Sequence, residues 1–583
     1  MRILVLVKQV PDPGRIEFDP STGRIRRENV PLQMNSFDRK AVEEAIRSKE
    51  KFGSEVLVAT MGPPSAAEVL NQSLRMGADD AFLITDRRFV GSDTLVTSMI
   101  LSSLVKKLGP DLVFAGKYSL DGETSQVPPE VARLSGYDFR SAVSSITYSD
   151  DMKSITVECE REYGMEKHVL KLPALISLSE KINKARIVKP SVPQMLDRIK
   201  TLAYEDLSVE ITGADSPTQV EGTRLIDSTR KVEIFDKPDD LYRLILDTVR
   251  SKSGKSPEIQ EIDPYVPERR WCIAVAFNDQ DISLEIAAKV AEISRGQFNI
   301  RVIGNIDPGK LEGISCHEYV YVNLRSPTSF AEFLENEINL CTPEFVIFPS
   351  TIAGRDIASF IAADRHLGLT ADCIDITYEN GRLIQYKPAF GGGVVARIVS
   401  RTIPAMSTVR KGMFPLRKSR IRCNIVHKNW PEDSNIPLDI QETPEEYLSL
   451  YSSRIVISVG KGIESQENLA TIKDLAHAMG AALGATRPIV DFGWIPRQQQ
   501  IGLTGSSISP DLYIALGIAG HDNHMVGVRY ARKIIAVNID AKAPIFRYSD
   551  YGIYMKSMDF ARGLSEFFRE NNVTDKNQAK SIP

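Results

Sequence analysis

Three times along the chain a proline and an acidic residue introduce a short apolar run. The phrases are Pro110-Asp111-Leu112-Val113-Phe114-Ala115-Gly116, Pro343-Glu344-Phe345-Val346-Ile347-Phe348-Pro349 and Pro510-Asp511-Leu512-Tyr513-Ile514-Ala515-Leu516-Gly517. A run rich in Val, Ile, Phe and Tyr and bounded by turn residues reads as a strand buried on both faces, which is the strand type of a parallel sheet. In open parallel sheets ligands bind beyond the carboxyl ends of the strands. The residues just past each phrase are therefore informative: Asp121-Gly122-Glu123-Thr124-Ser125-Gln126-Val127 after the first, Ala353-Gly354-Arg355-Asp356 after the second, and Ile518-Ala519-Gly520-His521-Asp522-Asn523-His524 after the third. One architecture is used three times with three different endings.

The length, 583 residues, predicts three or four domains at roughly 150 residues each. Hydrophobic residues at 42% and charged residues at 25% are ordinary for a globular chain. A net charge of -4 gives no reason to expect a nucleic-acid partner. No apolar stretch approaches the ~18 residues that span a bilayer. The short run Ile3–Val7 continues into Lys8-Gln9-Val10-Pro11-Asp12 without a small-residue cleavage site, so it reads as a first strand and not as a signal peptide; a cytoplasmic location is expected. The six cysteines (Cys159, Cys272, Cys316, Cys341, Cys373, Cys423) include no CxxC pair, which argues against an iron–sulfur or structural zinc site. Cys316 and His317 are neighbours, but two adjacent residues are not a ligand set. No metal is expected.

Along residues 1–205 strand and helix signals alternate: a helix over Phe37–Lys51, a strand over Glu55–Met61, a helix over Leu95–Leu108 opened by Asp93-Thr94, and then the first phrase. This alternation predicts an α/β fold with a doubly wound parallel sheet. Ser154–Glu160 and His168–Leu172 alternate like a hairpin added to it. Residues 206–268 are charged and weakly periodic, apart from a helix at Leu241–Val249, and read as a connector. A second sheet is expected over 269–429, an acidic linker over 430–450, and a third sheet over 451–583 with a polar tail. The helices that come after the first two phrases, Pro129–Leu134 and Ile357–Leu367, make the first two domains look like pseudo-symmetric copies of one fold.

The densest chemistry lies in the third sheet. Val459-Gly460-Lys461-Gly462 is a strand entering a glycine turn, which lets backbone amides approach a diphosphate. Gly484-Ala485-Thr486-Arg487, Gln500-Ile501-Gly502-Leu503-Thr504-Gly505-Ser506, Gly520, His524, Asn538-Ile539-Asp540 and Asp550 all fall at predicted strand ends. A cation, a hydroxyl, an imidazole, amides and an acid around one glycine-rich crevice suit a flavin.

Here the chain resembles the electron-transfer flavoproteins, with a β-type half first and an α-type half second in one polypeptide. The resemblance rests on Gly460-Lys461-Gly462-Ile463-Glu464-Ser465-Gln466-Glu467-Asn468, Gly484–Arg487, Thr504-Gly505, Pro510–Ala515, His524, Ala543-Pro544-Ile545-Phe546, Pro388-Ala389-Phe390-Gly391-Gly392, Val7–Asp12 and Asp121–Val127. It implies three Rossmann-like domains, of which the first two form a base and the third is a mobile FAD-binding domain. It implies that Arg487 lies beside the isoalloxazine, that Thr504 bonds near N5, that His524 sits near the C2 carbonyl and favours the anionic semiquinone, and that Ser506, Asn538, Asp540 and Asp550 hold the diphosphate and adenosine. The family commonly has Gln where Leu503 stands and Ser where Ala519 stands; both changes remove a hydrogen bond near the ring, and the resemblance then implies reduction steps closer together.

The β-type site, lined by Val7, Asn35, Asp93, Thr94, Gly116, Asp121, Gly122, Thr124, Ser125, Gln126 and Val127, is implied to hold a second FAD or an AMP. Asp19-Pro20-Ser21-Thr22-Gly23, Asn29-Val30-Pro31, Asn35 and Asp38 look more like the electron-bifurcating branch and favour FAD. The family implies flavin dehydrogenases of the acyl-CoA type as donors, a quinone oxidoreductase or ferredoxin-type acceptor, and a carrier with no catalytic residue. The alternatives are an NADH-oxidising, electron-bifurcating flavoprotein and a redox-silent adenine-nucleotide-binding protein. Residues 181–200 occupy the place of the partner-recognition loop, and one chain carrying both halves implies a monomer.

Overall fold

The computed structural model describes residues 1–11, 31–225, 230–250, 258–389, 394–432, 436–442, 450, 453–496, 499–502, 505–506 and 508–571. They form two compact units: a base unit, Met1–Leu225 with Glu258–Glu442, and a C-terminal unit, Ile226–Pro257 with Thr443–Pro583. Among the described residues no helix is long and apolar enough to cross a membrane.

The base unit holds two large sheets. The first runs Ile199–Leu202, Asp80–Ile84, Glu55–Met61, Arg2–Leu6, Leu112–Gly116, Ala174–Leu178, Asp138–Tyr148, Ser154–Arg161, Gly164–Lys171 and Asp439–Glu442. It is parallel as far as Asp138–Tyr148, and the predicted hairpin then adds antiparallel strands. The second runs Leu369–Cys373, Ala405–Val409, Phe345–Pro349, Trp271–Ala276, Asn299–Gly304, Glu318–Val322 and Asn424–Lys428, all parallel. In both sheets the first strand of the domain sits between its second and the Pro-acid strand. The two sheets are copies in topology as well as in sequence phrase.

The copies share a core. One apolar cluster joins Leu4, Val113 and Leu175 of the first sheet to Val275, Phe348 and Met406 of the second, all fully buried. The helices Val127–Ser135 and Ile352–Arg365 meet there, and the rings of Phe139 and Phe360 pack edge-on at 6.1 Å. Local sequence sets the helix limits. Asp93 caps Thr94–Leu108 by accepting the Val96 N–H at 3.1 Å, and Gly109, at φ 55°, closes the same helix in the left-handed region that glycine enters at no steric cost.

The C-terminal unit is a six-stranded parallel sheet in the order Glu233–Ile234, Tyr551–Tyr554, Lys533–Asn538, Leu512–Leu516, Ile455–Val459 and Ala482–Ala485. Its outermost strand comes from the segment read from sequence as a connector. That segment also supplies the helix Pro238–Arg250, whose Leu241, Tyr242, Ile245 and Leu246 are buried in the same core as Ile457, Ile514 and Phe560. Its apolar face has no nearby partner in sequence, which is why the stretch reads as a connector when taken alone. The linker over 430–450 is also partly structural: Asp439–Glu442 pairs antiparallel with Gly164–Lys167. The chain passes between the units at three points, after Leu225, Pro257 and Glu442.

Candidate flavin and nucleotide sites

In the C-terminal sheet the chain leaves Ile455–Val459, adds Ala482–Ala485 on one side, and crosses to Leu512–Leu516 on the other. A crevice opens where the strand order reverses. Its two walls are Gly460–Ile463 and Gly517–Gly520. The Gly460 N–H donates to the Leu516 carbonyl at 2.9 Å and the Gly462 N–H to the Gly517 carbonyl at 3.1 Å. A Cβ on Gly460 or Gly462 would collide with the Gly517 backbone, and one on Gly520, at φ 86°, with the Ile545 backbone. Bare backbone therefore lines the carboxyl edge.

The side chains around this crevice fall into two groups. Arg487 follows the strand Ala482–Ala485 and is 64% exposed; among the described residues its side chain meets the exposed Asp491 at 3.4 Å. Its charge is available to a ligand. Asn538 is internal: its Nδ2 donates to the Ile518 carbonyl at 2.9 Å, and its Oδ1 accepts the Asp540 N–H at 2.9 Å, so it fixes the crevice wall and the turn carrying Asp540. Gln500 is buried and its carbonyl accepts the Ser506 N–H at 2.7 Å; a Cβ on Gly505 would collide with that same carbonyl. Thr504 and Leu503 lie outside the described residues.

His524 is locked. Its Nδ1 lies 3.1 Å from the Ile501 carbonyl and its Nε2 2.7 Å from the Tyr513 hydroxyl. A carbonyl only accepts, so Nδ1 carries the proton and Nε2 accepts from the tyrosine. Burial pushes the imidazole down to about 4, against the pull of the Ile501 bond. The ring is thus neutral with both nitrogens engaged.

Asp550 is not with these groups. Its carboxylate pairs with Arg230 and accepts the Ile534 N–H at 2.8 Å, at the amino end of Lys533–Asn538 and ahead of Tyr551–Tyr554. That is the opposite edge of the sheet. Assigning it to adenosine binding is corrected here: Asp550 ties the 230–234 segment to the sheet. Thr486, nine-tenths buried at the end of Ala482–Ala485, was reached from sequence only as part of the motif Gly484-Ala485-Thr486-Arg487. The available signal is the rule that the residue just after each parallel strand faces the crevice.

The first sheet has a corresponding switch point between Arg2–Leu6 and Leu112–Gly116. Val7 and Gly116 end these strands. A Cβ on Gly116 would collide with Asp38 and Phe37. Asp38 is buried and accepts the N–H groups of Lys8 at 2.8 Å and Gly116 at 3.0 Å; burial pushes its carboxyl up to about 7, and these donors pull the other way. Asn35 reaches the loop after Gly116, donating to the Tyr118 carbonyl at 2.9 Å and accepting from the Leu120 N–H at 3.3 Å.

Asp121 forms a 2.7 Å ion pair with Lys8 and accepts the Gly122 N–H. Glu123 and Ser125 take positive φ, 53° and 58°, and Thr124 Oγ1 accepts the Gln126 N–H at 3.4 Å. Val127 starts the next helix. Val7, Asn35, Gly116 and Asp121–Val127 are therefore brought together. Asp93 is engaged internally: one oxygen caps its own helix beside Thr94, and the other accepts both donors of Thr218, at 3.0 and 2.8 Å. Residues 12–30, including Asp19–Gly23 and Asn29, lie outside the described residues.

The second sheet closes one side of this loop. Gln126 Nε2 donates to the Leu369 carbonyl at 3.0 Å, and Arg355 approaches Ser125 Oγ at 3.4 Å. Arg355 and Arg410 converge on buried Asp372; burial opposes its ionisation, but the two guanidinium groups outweigh it and hold the carboxyl below the usual range. Sequence reasoning reached Arg355 only as part of the ending of the second phrase.

The electron transfer flavoprotein domain matches twice, at residues 22–206 and 325–426, and the electron transfer flavoprotein FAD-binding domain matches at 449–529. The chain is 38% identical over 243 residues to the electron transfer flavoprotein subunit beta of Thermoanaerobacterium thermosaccharolyticum, covering 40% of this chain and 92% of that protein. The chain belongs to the electron transfer flavoprotein family. The alpha subunit from the same organism is 38% identical over 220 residues, 36% of this chain and 66% of that subunit. The caffeyl-CoA reductase-Etf complex subunit CarD of Acetobacterium woodii is 41% identical over 233 residues, 38% of this chain and 86% of CarD. This flavoprotein thus joins β-type and α-type halves in one chain, and the repeated match falls on the two sheets of the base unit.

The residues present in the C-terminal crevice fit FAD. The closely packed turns Gly460–Ile463 and Gly517–Gly520 shape the carboxyl edge of the strands, where a diphosphate binds in sheets of this kind, and an exposed arginine offers positive charge at a strand end. At the first-domain switch point Gly116 packs against Asp38 and Phe37 and the loop Asp121–Val127 follows it.

Proposed function

We propose that this flavoprotein takes electrons from flavin dehydrogenases of the acyl-CoA type and passes them to a quinone oxidoreductase or ferredoxin-type acceptor. FAD is held in the C-terminal crevice, and a second FAD, in preference to AMP, in the first-domain crevice. The observation that carries this reading is the pair of parallel-sheet switch points, one in each unit, with an exposed arginine at the C-terminal one. Bound FAD supplies one- and two-electron chemistry in which no substrate bond is broken.

The chain's own residues bind and bias. The diphosphate lies along the carboxyl edge that the packed turns Gly460–Ile463 and Gly517–Gly520 shape. Arg487 places a permanent positive charge beside negative charge gained on reduction. Neutral His524 orders the Ile501–Tyr513 wall. In the first domain Asn35 and Asp38 set the loop Tyr118–Val127 against the nucleotide. The three chain passages between units tether the C-terminal unit while it moves between donor and acceptor. The name of the CarD relative, a subunit of a complex with caffeyl-CoA reductase, supports a partner that handles acyl-CoA substrates.

Anaerobic titration tests this. An acyl-CoA dehydrogenase with its substrate is expected to bleach the flavin absorbance of the purified protein, whereas NADH alone leaves it. Bleaching by NADH alone would replace this reading with the NADH-oxidising, electron-bifurcating one. Bleaching by neither would refute both.

A further inference from the structure

The two sulfurs of Cys316 and Cys423 lie 2.7 Å apart, far from either crevice in sequence and unused by either. Cys316 is fully buried in the core beneath the second sheet, and Cys423 is partly buried against the same cluster. Backbone register brings them together. Cys316 precedes the strand Glu318–Val322 and Cys423 precedes the edge strand Asn424–Lys428, and these strands pair in parallel with Glu318 opposite Asn424. The Asn424 N–H donates to the His317 carbonyl at 2.9 Å, so the backbone on both sides of the sulfur pair is already fixed. A disulfide bond is about 2.04 Å long, so closure needs the sulfurs to approach by only about 0.7 Å. Among the described residues the other four cysteines are not paired in this way: the Cys272 sulfur meets Ser294 Oγ at 3.0 Å and the Asn299 carbonyl at 3.3 Å, and the Cys373 sulfur lies 3.6 Å from the Thr370 carbonyl.

We propose that Cys316 and Cys423 form a reversible disulfide that staples the edge strand Asn424–Lys428 to Glu318–Val322. The oxidant is a small-molecule disulfide. The thiolate of partly exposed Cys423 attacks one sulfur of that disulfide; a mixed disulfide forms and one small thiolate leaves. The buried Cys316 sulfur then attacks Cys423 Sγ, giving its proton to the second small thiolate as that group leaves. Two protein thiols are oxidised and the small disulfide is reduced to two thiols. The staple lies just upstream of the segment that ends in Asp439–Glu442, after which the chain leaves the base unit. Oxidation therefore secures the base-unit end of one of the three passages.

The test uses the full-length protein. It is incubated with oxidised glutathione or with dithiothreitol, then denatured, alkylated and weighed intact. The number of alkylated cysteines is expected to fall by two from six after oxidation, and peptide mapping to join Cys316 to Cys423. In Cys316→Ser the reaction is expected to stop at a glutathione adduct on Cys423. Hydrogen exchange at amides 424–428 is expected to slow in the oxidised protein. Six alkylated cysteines after oxidation, a stable glutathione adduct on the unsubstituted chain, a different cysteine pair, or unchanged exchange at 424–428 would each overturn the proposal. If Cys316→Ser fails to fold, the mass and exchange measurements on the unsubstituted chain decide it.

Discussion

The segment that reads as a connector is instead part of the flavin domain, and Ile245→Ala tests this. Ile245 is completely buried on the helix Pro238–Arg250, in one core with Leu241, Leu246, Ile457, Leu564 and Phe568. One turn away, Tyr242 stacks edge-on with Phe560 at 5.1 Å and donates to the Phe560 carbonyl at 3.1 Å. Gly563, in the middle of the facing helix, is needed because a Cβ there would collide with the tyrosine hydroxyl. This fit leaves little room for collapse around a cavity. Removing three side-chain carbons should therefore cost about 3 kcal/mol, inside the ~2–5 kcal/mol range for such truncations. Alanine preserves helix propensity, so the loss reports packing. For a unit of this size each kcal/mol moves the midpoint by roughly 2–4 °C, giving a fall of about 6–12 °C. The assay is calorimetry beside the rise in flavin fluorescence on release, with Arg243→Ala, at an exposed position of the same helix, as control. The C-terminal transition and flavin release should fall together while the base-unit transition stays in place. Flavin release at the unsubstituted temperature, or movement of the base-unit transition instead, would refute the assignment.

Further expectations concern His524, Gly116 and Arg230. His524 has its folded pKa depressed to about 4 from an unfolded value near 6.5, so the unfolded state binds the proton first. Its contribution is fully present above about pH 6.5 and is lost as pH falls toward 4, amounting to roughly 3 kcal/mol; denaturant unfolding of the C-terminal unit across that range should show the slope, and His524→Gln should flatten it. Gly116→Ala forces a Cβ into Asp38 and Phe37. Overpacking of this kind costs about 1–3 kcal/mol, and the nucleotide content of the first domain should drop while the C-terminal flavin remains; unchanged content contradicts the placement. Arg230→Ala removes the partner of Asp550 and a 2.6 Å bond to the Ala531 carbonyl. It should destabilise the C-terminal unit by about 2 kcal/mol, read by the same unfolding assay, and Asp550→Asn should recover part of that loss in the Arg230→Ala background.

Legibility in the sequence followed locality. The three Pro-acid phrases fall on central strands, Leu112–Gly116, Phe345–Pro349 and Leu512–Leu516, because a strand buried on both faces must be apolar throughout. Glu55–Met61 and the hairpin after residue 154 were readable from flanking turns and alternation. Glycines 460, 462 and 520 were readable because crowding excludes any Cβ. The helix at Leu241–Val249 was readable from its periodicity, but its place in the C-terminal unit was not, because its stripe is completed only by residues some 300 positions later; Asp439–Glu442 was missed because a short polar edge strand has no periodicity of its own. Asp550 misled for a related reason: an acidic residue beside a strand signals an end but not which end, and only the sheet direction places it at the amino edge. His524 was found as a residue, but its locked tautomer depends on Tyr513 and Ile501 and so on the packing. Arg355, Asp372 and Arg410 meet only because Leu369–Cys373 and Ala405–Val409 are neighbouring strands of the second sheet, which no local pattern announces.

The most direct test of the account is to denature the purified chain and count the nucleotides released per polypeptide, by absorbance and chromatography, beside a Gly462→Val variant. The account predicts two FAD and no AMP from the unsubstituted protein, and one FAD from Gly462→Val, the survivor being the first-domain nucleotide. One FAD with one AMP would contradict the second-flavin assignment, and release of no FAD, or loss of neither nucleotide in Gly462→Val, would contradict the C-terminal crevice as the flavin site.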